Sequence, residues 1–248
     1  MTPKITALAI TLNEEENVKR YVQSLSFADE IIFIDSNSTD ETVAIAKKMG
    51  VQVISRDFDD FSTQRNFAIN QSKNDWIVFF DLDEYLTPKL QEEILTAVSS
   101  PNDCVAFYIK RNFFFLGKQI KFGGWQSDKA VRLFNKKHCS FNGNLVHESI
   151  ITSGKKRLMK ESVNHYSYKT YKSKLKLYSK LQAESLFIKK KRPNIYHFII
   201  RPSYRFLWQY IFRLGFLDGK EGIVLAYLHA YSVYNRYLQL WKMYRRIE

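Results

Sequence analysis

Apolar and polar positions change period several times over the first hundred residues, and each change marks an element. Residues 5–12 form a short apolar run, the pattern of a buried strand. Val18, Tyr21, Val22 and Leu25 then recur at helical spacing, with Asn13 where an N-cap belongs and Glu16 three residues on, as in a capping box. A second strand is predicted over 31–35. Ser38-Thr39-Asp40-Glu41 again has capping-box form, and the helix it opens runs through Ala44, Ile45 and Met49 to a stop at Gly50. Strand 51–54, a helix around 64–70 and strand 76–80 follow, the last leading into Asp81-Leu82-Asp83-Glu84.

Strands separated by helices of this length predict an α/β fold, a parallel sheet with helices on both faces. In such sheets ligands sit beyond the carboxyl ends of the strands. The polar residues fall there: Thr11, Asn13 and Glu14 after the first strand, Asp35 and Ser36 after the second, Asp81 and Asp83 after the fourth. The absence of any GxGxxG or Walker pattern argues against dinucleotide and P-loop chemistry. From about Val105 the pattern changes: 107–115, 130–134 and 146–151 read as strands among Gly117, Gly123, Gly124 and Gly143. Beyond about Ser167 the chain reads as helical and basic, which sets a boundary between 1–166 and 167–248.

Charge sharpens that boundary. Residues 1–150 carry 17 Lys/Arg against 20 Asp/Glu, a balance of −3, whereas 151–248 carry 21 against 5, a balance of +16; the two sum to the formal +13. Phe, Tyr and Trp crowd into the same basic stretch. A near-neutral body with a basic, aromatic-rich extension suggests a catalytic domain carrying a module for an anionic surface. Cys104 and Cys139 are the only cysteines and make neither a disulfide framework nor a zinc spacing, so a reducing cytoplasm is the expectation. The opening MTPKITALAITLNEEE runs into acids and reads as a strand, not a signal peptide. No apolar run reaches the roughly 18 residues of a spanning helix.

Three groups of residues carry candidate chemistry. Asp81-x-Asp83 places two carboxylates where a chain leaving a strand can converge them on one hard cation, Mg²⁺ or Mn²⁺, whose other ligands would be a diphosphate and water. The plain alternative, a solvated acidic turn, loses ground because the motif follows an apolar strand in register with the other strand ends. Asp35 offers acceptors to a ribose hydroxyl or a uracil imide N–H, unless it merely caps the following turn. Arg65 is a candidate nucleotide contact, although an isolated arginine is more often a surface residue.

These runs, ITALAITLNEEENVKRYVQSL, IIFIDSNSTDET, STQRNFAI and DWIVFFDLDEYL, resemble the family 2 inverting glycosyltransferases of the GT-A fold. The later segments GGWQSDKAVRLF, LVHESI and RFLWQYIFRLGFLDGKEGIVLAYLHAY look like the branch of lipopolysaccharide-core glucosyltransferases that add a β-linked glucose to the inner-core heptose. The resemblance implies a catalytic domain over 1–166, with its nucleotide-sugar half at about 1–100 and its acceptor half at about 101–166. It implies that Thr11, Asn13, Glu14 and Asp35 hold the uridine, that Arg65 lies near the nucleotide, and that Asp81 and Asp83 carry the metal and diphosphate. The chain departs from the family pattern at Leu82, where alanine is usual in DxDE, and it lacks the Gln-x-x-Arg-Trp box of processive synthases, which favours transfer of a single sugar.

An inverting transferase also needs a base for the acceptor hydroxyl. In related enzymes this acid follows a glycine-containing acceptor loop, so Asp128 after Gly123-Gly124-Trp125 leads and Glu148 is second. His147 is a candidate metal or diphosphate contact, or a structural histidine. Trp125 would stack on an acceptor sugar or pack in the core. Arg132 would contact the acceptor, or pair with Asp128 or Glu148 or with phosphate.

Segments 169–192 and 203–217 interleave Lys and Arg with Tyr171, Leu181, Phe206, Trp208, Ile211 and Phe212. Such helices either lie in an anionic membrane interface or pack on the body with only their basic groups solvated, while 219–241 packs inward or pairs with another subunit. The expected activity is metal-assisted transfer of glucose from a UDP-sugar to a lipopolysaccharide-core or other lipid-linked acceptor, peripheral on the inner face of the cell membrane. The alternative is a non-catalytic nucleotide-sugar or polyanion-binding protein of the same fold; a nucleotidyltransferase is a weaker third. Specific nucleic-acid binding is not expected, because no RNP, KH or helix-turn-helix pattern occurs.

Overall fold

The computed structural model describes residues 3–143, 149–166 and 171–247. The chain divides into two compact units, Met1–Arg111 with Lys129–His165, and Asn112–Asp128 with Tyr166–Glu248.

The first unit opens with β1 (Ile5–Thr11), α1 (Glu15–Gln23), β2 (Glu30–Asp35), α2 (Thr42–Lys48), β3 (Gln52–Ser55), α3 (Phe61–Gln71) and β4 (Trp76–Phe79). β5 (Glu84–Tyr85) and α4 (Pro88–Ser99) follow, then β6 (Cys104–Phe115). β1 pairs in parallel with β2 and β4, and β2 with β3. Past β4 the sheet turns antiparallel.

Alternation along β1 and β2 assigns the faces. Leu8, Ile32 and Ile34 pack with Ala68 and Ile69 of α3. Phe33, of opposite parity, meets the Tyr21 ring of α1 at 5.8 Å. Helices therefore cover both faces, and the central strands are buried almost throughout, as parallel strands must be. Local chemistry starts the helices. Asp60 accepts from the Thr63 N–H at the head of α3, and Thr87 accepts from Leu90 at the head of α4, where Pro88 occupies the first turn.

α1 and α2 depart from the expected caps. Asn13 and Ser38 cap neither helix. Instead the two starts cap each other: Asp40 accepts from the Glu15 N–H, Glu15 accepts from the Glu41 N–H, and the Thr42 hydroxyl accepts from the Glu14 N–H.

In the second unit β7 (Lys118–Ile120) pairs with the end of β6. A 3-10 turn spans Trp125–Ser127. The first unit resumes with β8 (Lys129–Asn135), the short antiparallel pair β9 (Ser140–Phe141) and β10 (Ile150–Ile151), and β11 (Lys155–Tyr166), a strand the sequence analysis did not foresee. The sheet order is β3-β2-β1-β4-β8-β6-β11-β5. The chain then turns helical: α5 (Tyr171–Ile188), α6 (Ile195–Phe198), α7 (Ile200–Leu207), a π-turn Trp208–Phe212, a 3-10 turn Gly215–Asp218 and α8 (Lys220–Arg245). Ala183 of α5 is buried with Tyr237 and Leu240 of α8, and Tyr171 and Leu225 join Phe113, Phe115 and Ile120. Among the described residues no helix is long and apolar enough to cross a membrane.

Candidate active site

The register places the candidate residues on one edge. Thr11 and Asp35 are partners at the ends of β1 and β2, and β4 ends beside β1 just before Asp81. Two strand spacings, roughly 10 Å, separate the ends of β2 and β4. Asp35 is buried, and its carboxylate accepts from the Thr11 hydroxyl at 2.8 Å, the Ser38 hydroxyl at 2.6 Å and the Ser38 N–H at 2.8 Å. Asn13, at φ 53°, spans the two loops: its N–H donates to Ser38 Oγ and its side-chain oxygen accepts from the Thr39 N–H. Glu14 is the N-cap residue of α1 and accepts from the Asn17 amide. Thr11, Asn13 and Asp35 are thus one hydrogen-bonded loop pair, with Asn13 exposed at its rim.

The second cluster gathers acids around buried arginines. After β4 the chain makes a tight turn, the Glu84 N–H donating to the Asp81 carbonyl, and Leu82 is buried at 3% exposure, so an apolar residue suits that position. Arg65 of α3 donates to Asp81 Oδ1 at 3.0 Å. Arg132 of β8 donates to Asp81 Oδ2 at 2.7 Å and to Glu84 Oε1 at 2.6 Å. Arg111 of β6 stands 3.5 Å from the same Glu84 oxygen. Burial disfavours the Arg132 charge, but the Asp81 and Glu84 carboxylates outweigh it and hold the guanidinium firmly protonated. Burial, then the charges of Asp81 and Glu84, push the Tyr21 phenol well above its usual range, so it stays a donor to the Phe80 carbonyl.

Asp83 faces a different neighbour. Its Oδ2 lies 3.4 Å from Nε2 of His165, and both side chains are largely buried. His165 reaches this place because β11 pairs with β5, His165 opposite Glu84. Sequence reasoning assigned no role to Glu84, Arg111 or His165. His165 had little signal, since its strand, KKRLMKESVNHY, is mostly polar and its apolar positions are sparse. Glu84 was visible as the last residue of the acidic motif. Among the described residues, no group of three or more His, Cys, Asp or Glu side chains gathers as a metal cage. His147 and Glu148 lie outside the described residues.

Asp128 and Trp125 belong to the second unit. Asp128 is half-buried at the end of the 3-10 turn, its N–H donating to the Trp125 carbonyl. The Trp125 ring stacks on Phe113 with centroids 3.8 Å apart, so one of its faces is spent on packing. The preceding loop is anchored by the C-terminal helices: buried Asp218 accepts from the Lys121 and Phe122 N–H groups at 3.0 and 2.9 Å, and the Gly123 N–H donates to the Arg213 carbonyl.

Comparison with known proteins identifies the framework. The sequence pattern of glycosyl transferase family 2 matches residues 6–154. An uncharacterized glycosyltransferase of Rickettsia conorii is 32% identical over 98% of this chain and 90% of its own length. The lipopolysaccharide core biosynthesis glycosyltransferase LpsC of Rhizobium meliloti is 26% identical over 96% of this chain and 95% of its own. Among solved structures, glucosyl-3-phosphoglycerate synthase from Mycobacterium tuberculosis, crystallised with Mn²⁺, UDP and glucosyl-3-phosphoglycerate, matches 46% of this chain and 45% of its own at 22% identity and a TM-score of 0.39. The family pattern fills the α/β unit whose strand ends carry the acids, and the relatives run nearly end to end: this chain belongs to glycosyl transferase family 2 and is a glycosyltransferase of the GT-A fold.

Proposed function

We propose that this enzyme moves a single glucose, with inversion, from UDP-glucose to a lipopolysaccharide-core or other lipid-linked saccharide at an anionic membrane surface. The observation that carries the donor half is the common edge: Asp35 ends β2 and Asp81 and Asp83 follow β4, on either side of β1. In this reading Thr11, Asn13, Glu14 and Asp35 receive the uridine, and Arg65 and Asp81 border the diphosphate. The acceptor half is supported by end-to-end likeness to a lipopolysaccharide-core transferase.

A divalent cation fits Asp83 and His165. Asp83 Oδ2 and His165 Nε2 are 3.4 Å apart and would hold it, a carboxylate oxygen with an imidazole nitrogen being an ordinary donor set for Mn²⁺. When bound, Mn²⁺ or Mg²⁺ supplies charge that offsets the departing diphosphate. Two protein ligands leave room for phosphate oxygens and water, the usual arrangement for such ions. His147 is a further candidate ligand.

In the transfer itself the acceptor hydroxyl oxygen forms a bond to the anomeric carbon on the face opposite the donor diphosphate. The bond from that carbon to the diphosphate oxygen breaks, UDP leaves with the electron pair, and the hydroxyl proton passes to the Asp128 carboxylate. Glu148 is the second candidate for that proton. Arg132 acts by fixing Asp81 and Glu84: a guanidinium so buried and doubly bonded is engaged before any acceptor arrives.

The test is UDP release from a panel of UDP-sugars, with and without deacylated lipopolysaccharide core, alongside melting with UDP and Mn²⁺. UDP-glucose with the core should give the fastest release. UDP and Mn²⁺ together should raise the melting midpoint more than either alone, and Asp83→Asn should abolish the metal-dependent part. Equal release with and without acceptor, or an unchanged midpoint, refutes the reading.

A further inference from the structure

The helical segment after α5 is amphipathic in the wrong sense for a water-facing helix. Tyr196, Ile199, Ile200, Tyr204, Trp208 and Phe212 recur at spacings of one, three and four residues, and all are exposed, Phe212 at 66%. Leu207 and Ile211 fill the gaps in this stripe and are exposed as well. Two polar groups of the segment turn inward: Gln209 is 2% exposed, and Arg205 points a guanidinium nitrogen at His229 Nδ1, 3.1 Å away. A soluble helix buries its apolar stripe and shows water its polar one. Here the Tyr204, Trp208 and Phe212 rings form a ladder on the outside, with centroids 5.9 and 5.7 Å apart. A contiguous apolar strip of this kind marks an interaction site.

Charge says what covers it. From residue 185 to 217 the chain holds seven basic residues, Lys189, Lys190, Lys191, Arg192, Arg201, Arg205 and Arg213, and no Asp or Glu. Lys189–Arg192 immediately precede the strip and Arg213 follows Phe212, and all of these are exposed. Aromatic and aliphatic groups flanked by Lys and Arg, without acids, match the boundary between headgroups and acyl chains of an anionic bilayer, where rings enter and basic groups stay with phosphate. A nucleic acid would use the charges and leave the aliphatic side chains idle. A second copy of this chain would oppose like charges.

We propose that the outward face of residues 196–217 docks this enzyme on an anionic lipid surface, with Trp208, Ile211 and Phe212 entering the interface. The docking depends on the transferase reading only for its use, which is to bring the enzyme to an acceptor carried by lipid. The test is flotation of the full chain with vesicles of phosphatidylcholine alone or with phosphatidylglycerol added. The expected result is binding about tenfold or more tighter to the mixed vesicles, since each well-placed basic residue contributes a several-fold factor. Ile211→Ser with Phe212→Ser should weaken that binding about tenfold or more, as should Lys189, Lys190 and Lys191 all changed to Gln. Trp208 should be quenched by brominated lipid in the unsubstituted protein, and Trp208→Phe should remove the quenching. Equal binding to neutral vesicles, no loss in the serine variant, or no quenching overturns the proposal. So does a dimer in sizing chromatography that the serine variant dissociates, or displacement by RNA with the serine variant unaffected. UDP release from UDP-glucose with a soluble core saccharide is read in parallel: its failure with vesicle binding intact removes the proposed donor and acceptor and leaves the docking face standing.

Discussion

Replacing Arg132 with Met probes the heart of the acidic cluster, and the geometry sets the size of the effect. Arg132 bonds Asp81 at 2.7 Å and Glu84 at 2.6 Å, and its side chain is 4% exposed. The two acids do not suffer equally when it is removed. Asp81 is 30% exposed and keeps Arg65 at 3.0 Å, so water and a second cation limit its loss. Glu84 is fully buried and keeps only the Asp81 N–H and Arg111, whose nearest nitrogen is at 3.5 Å, among the partners described. Breaking a buried pair from one side costs about 3–5 kcal/mol, because a charge is left stranded. At about 2–4 °C per kcal/mol for a chain of this size, Arg132→Met should lower the melting midpoint by roughly 6–20 °C. Most of that cost resides on Glu84, so Arg132→Met with Glu84→Gln should be more stable than the sum of the two single changes, with a coupling on the order of 1–3 kcal/mol in a double-mutant cycle. Urea unfolding of the four proteins measures it. If the single effects add to within about 0.5 kcal/mol, Arg132 is not what compensates Glu84, and the account of the cluster is wrong.

Three further outcomes are expected. Asp128→Asn should lower kcat by about a hundredfold or more with little change in melting, as for loss of a general base; survival of kcat within about tenfold excludes Asp128 from that role. His229 is lowered to about 3 from the usual 6.5, by burial first and by Arg205 second. Between those values the unfolded chain binds a proton that the folded chain refuses. The contribution is therefore full above about pH 6.5 and is lost as pH falls toward 3, by at most about 1.4 kcal/mol per pH unit. His229→Gln should flatten the stability profile from about pH 6.5 to 5, and an unchanged slope there refutes the assignment. Asp218→Ala strands the Lys121 and Phe122 N–H groups and should cost about 2–5 kcal/mol, with Asp218→Asn in between because it keeps one acceptor oxygen; an asparagine variant no better than alanine contradicts the anchoring role.

The parallel half of the sheet was legible because its strands announce themselves. IIFI and WIVFF are apolar without interruption, as burial on both faces demands, and the polar residues that follow them gather on one edge of the sheet. Helix starts were less legible. Asn13 and Ser38 look like caps in the text, but the loops after β1 and β2 lie side by side, and each side chain serves the neighbouring loop. That preference is tertiary and leaves no trace in local spacing. The same holds for His165. Its strand pairs through backbone groups at β5, so its residues need little apolar character, and nothing local distinguishes it from a charged loop. The sequence leaves Arg132 as an acceptor contact or as a partner of Asp128, Glu148 or phosphate; its pairing with Asp81 and Glu84 comes from the strand register, which the sequence does not display.

The GFLDG segment, residues 215–219, acts on the loop before Trp125 through close backbone packing and one buried carboxylate. Each of its constrained positions has a steric or electrostatic reason. A Cβ on Gly215 would stand 2.7 Å from the Gln209 carbonyl oxygen, and one on Gly222, three residues past the segment, would stand 1.9 Å from the Gly215 oxygen, so backbone packs directly on backbone at both. Gly219 takes φ +70°, which costs glycine nothing. Those contacts fix Asp218, whose two oxygens hold the Lys121 and Phe122 N–H groups, four and three residues before Trp125. Lys118 ties the same corner through the Asp218 carbonyl and Glu221. What the segment positions is thus the backbone that leads into Gly123-Gly124-Trp125 and on to Asp128. Close helix packing around a buried carboxylate gives that loop a rigid mount.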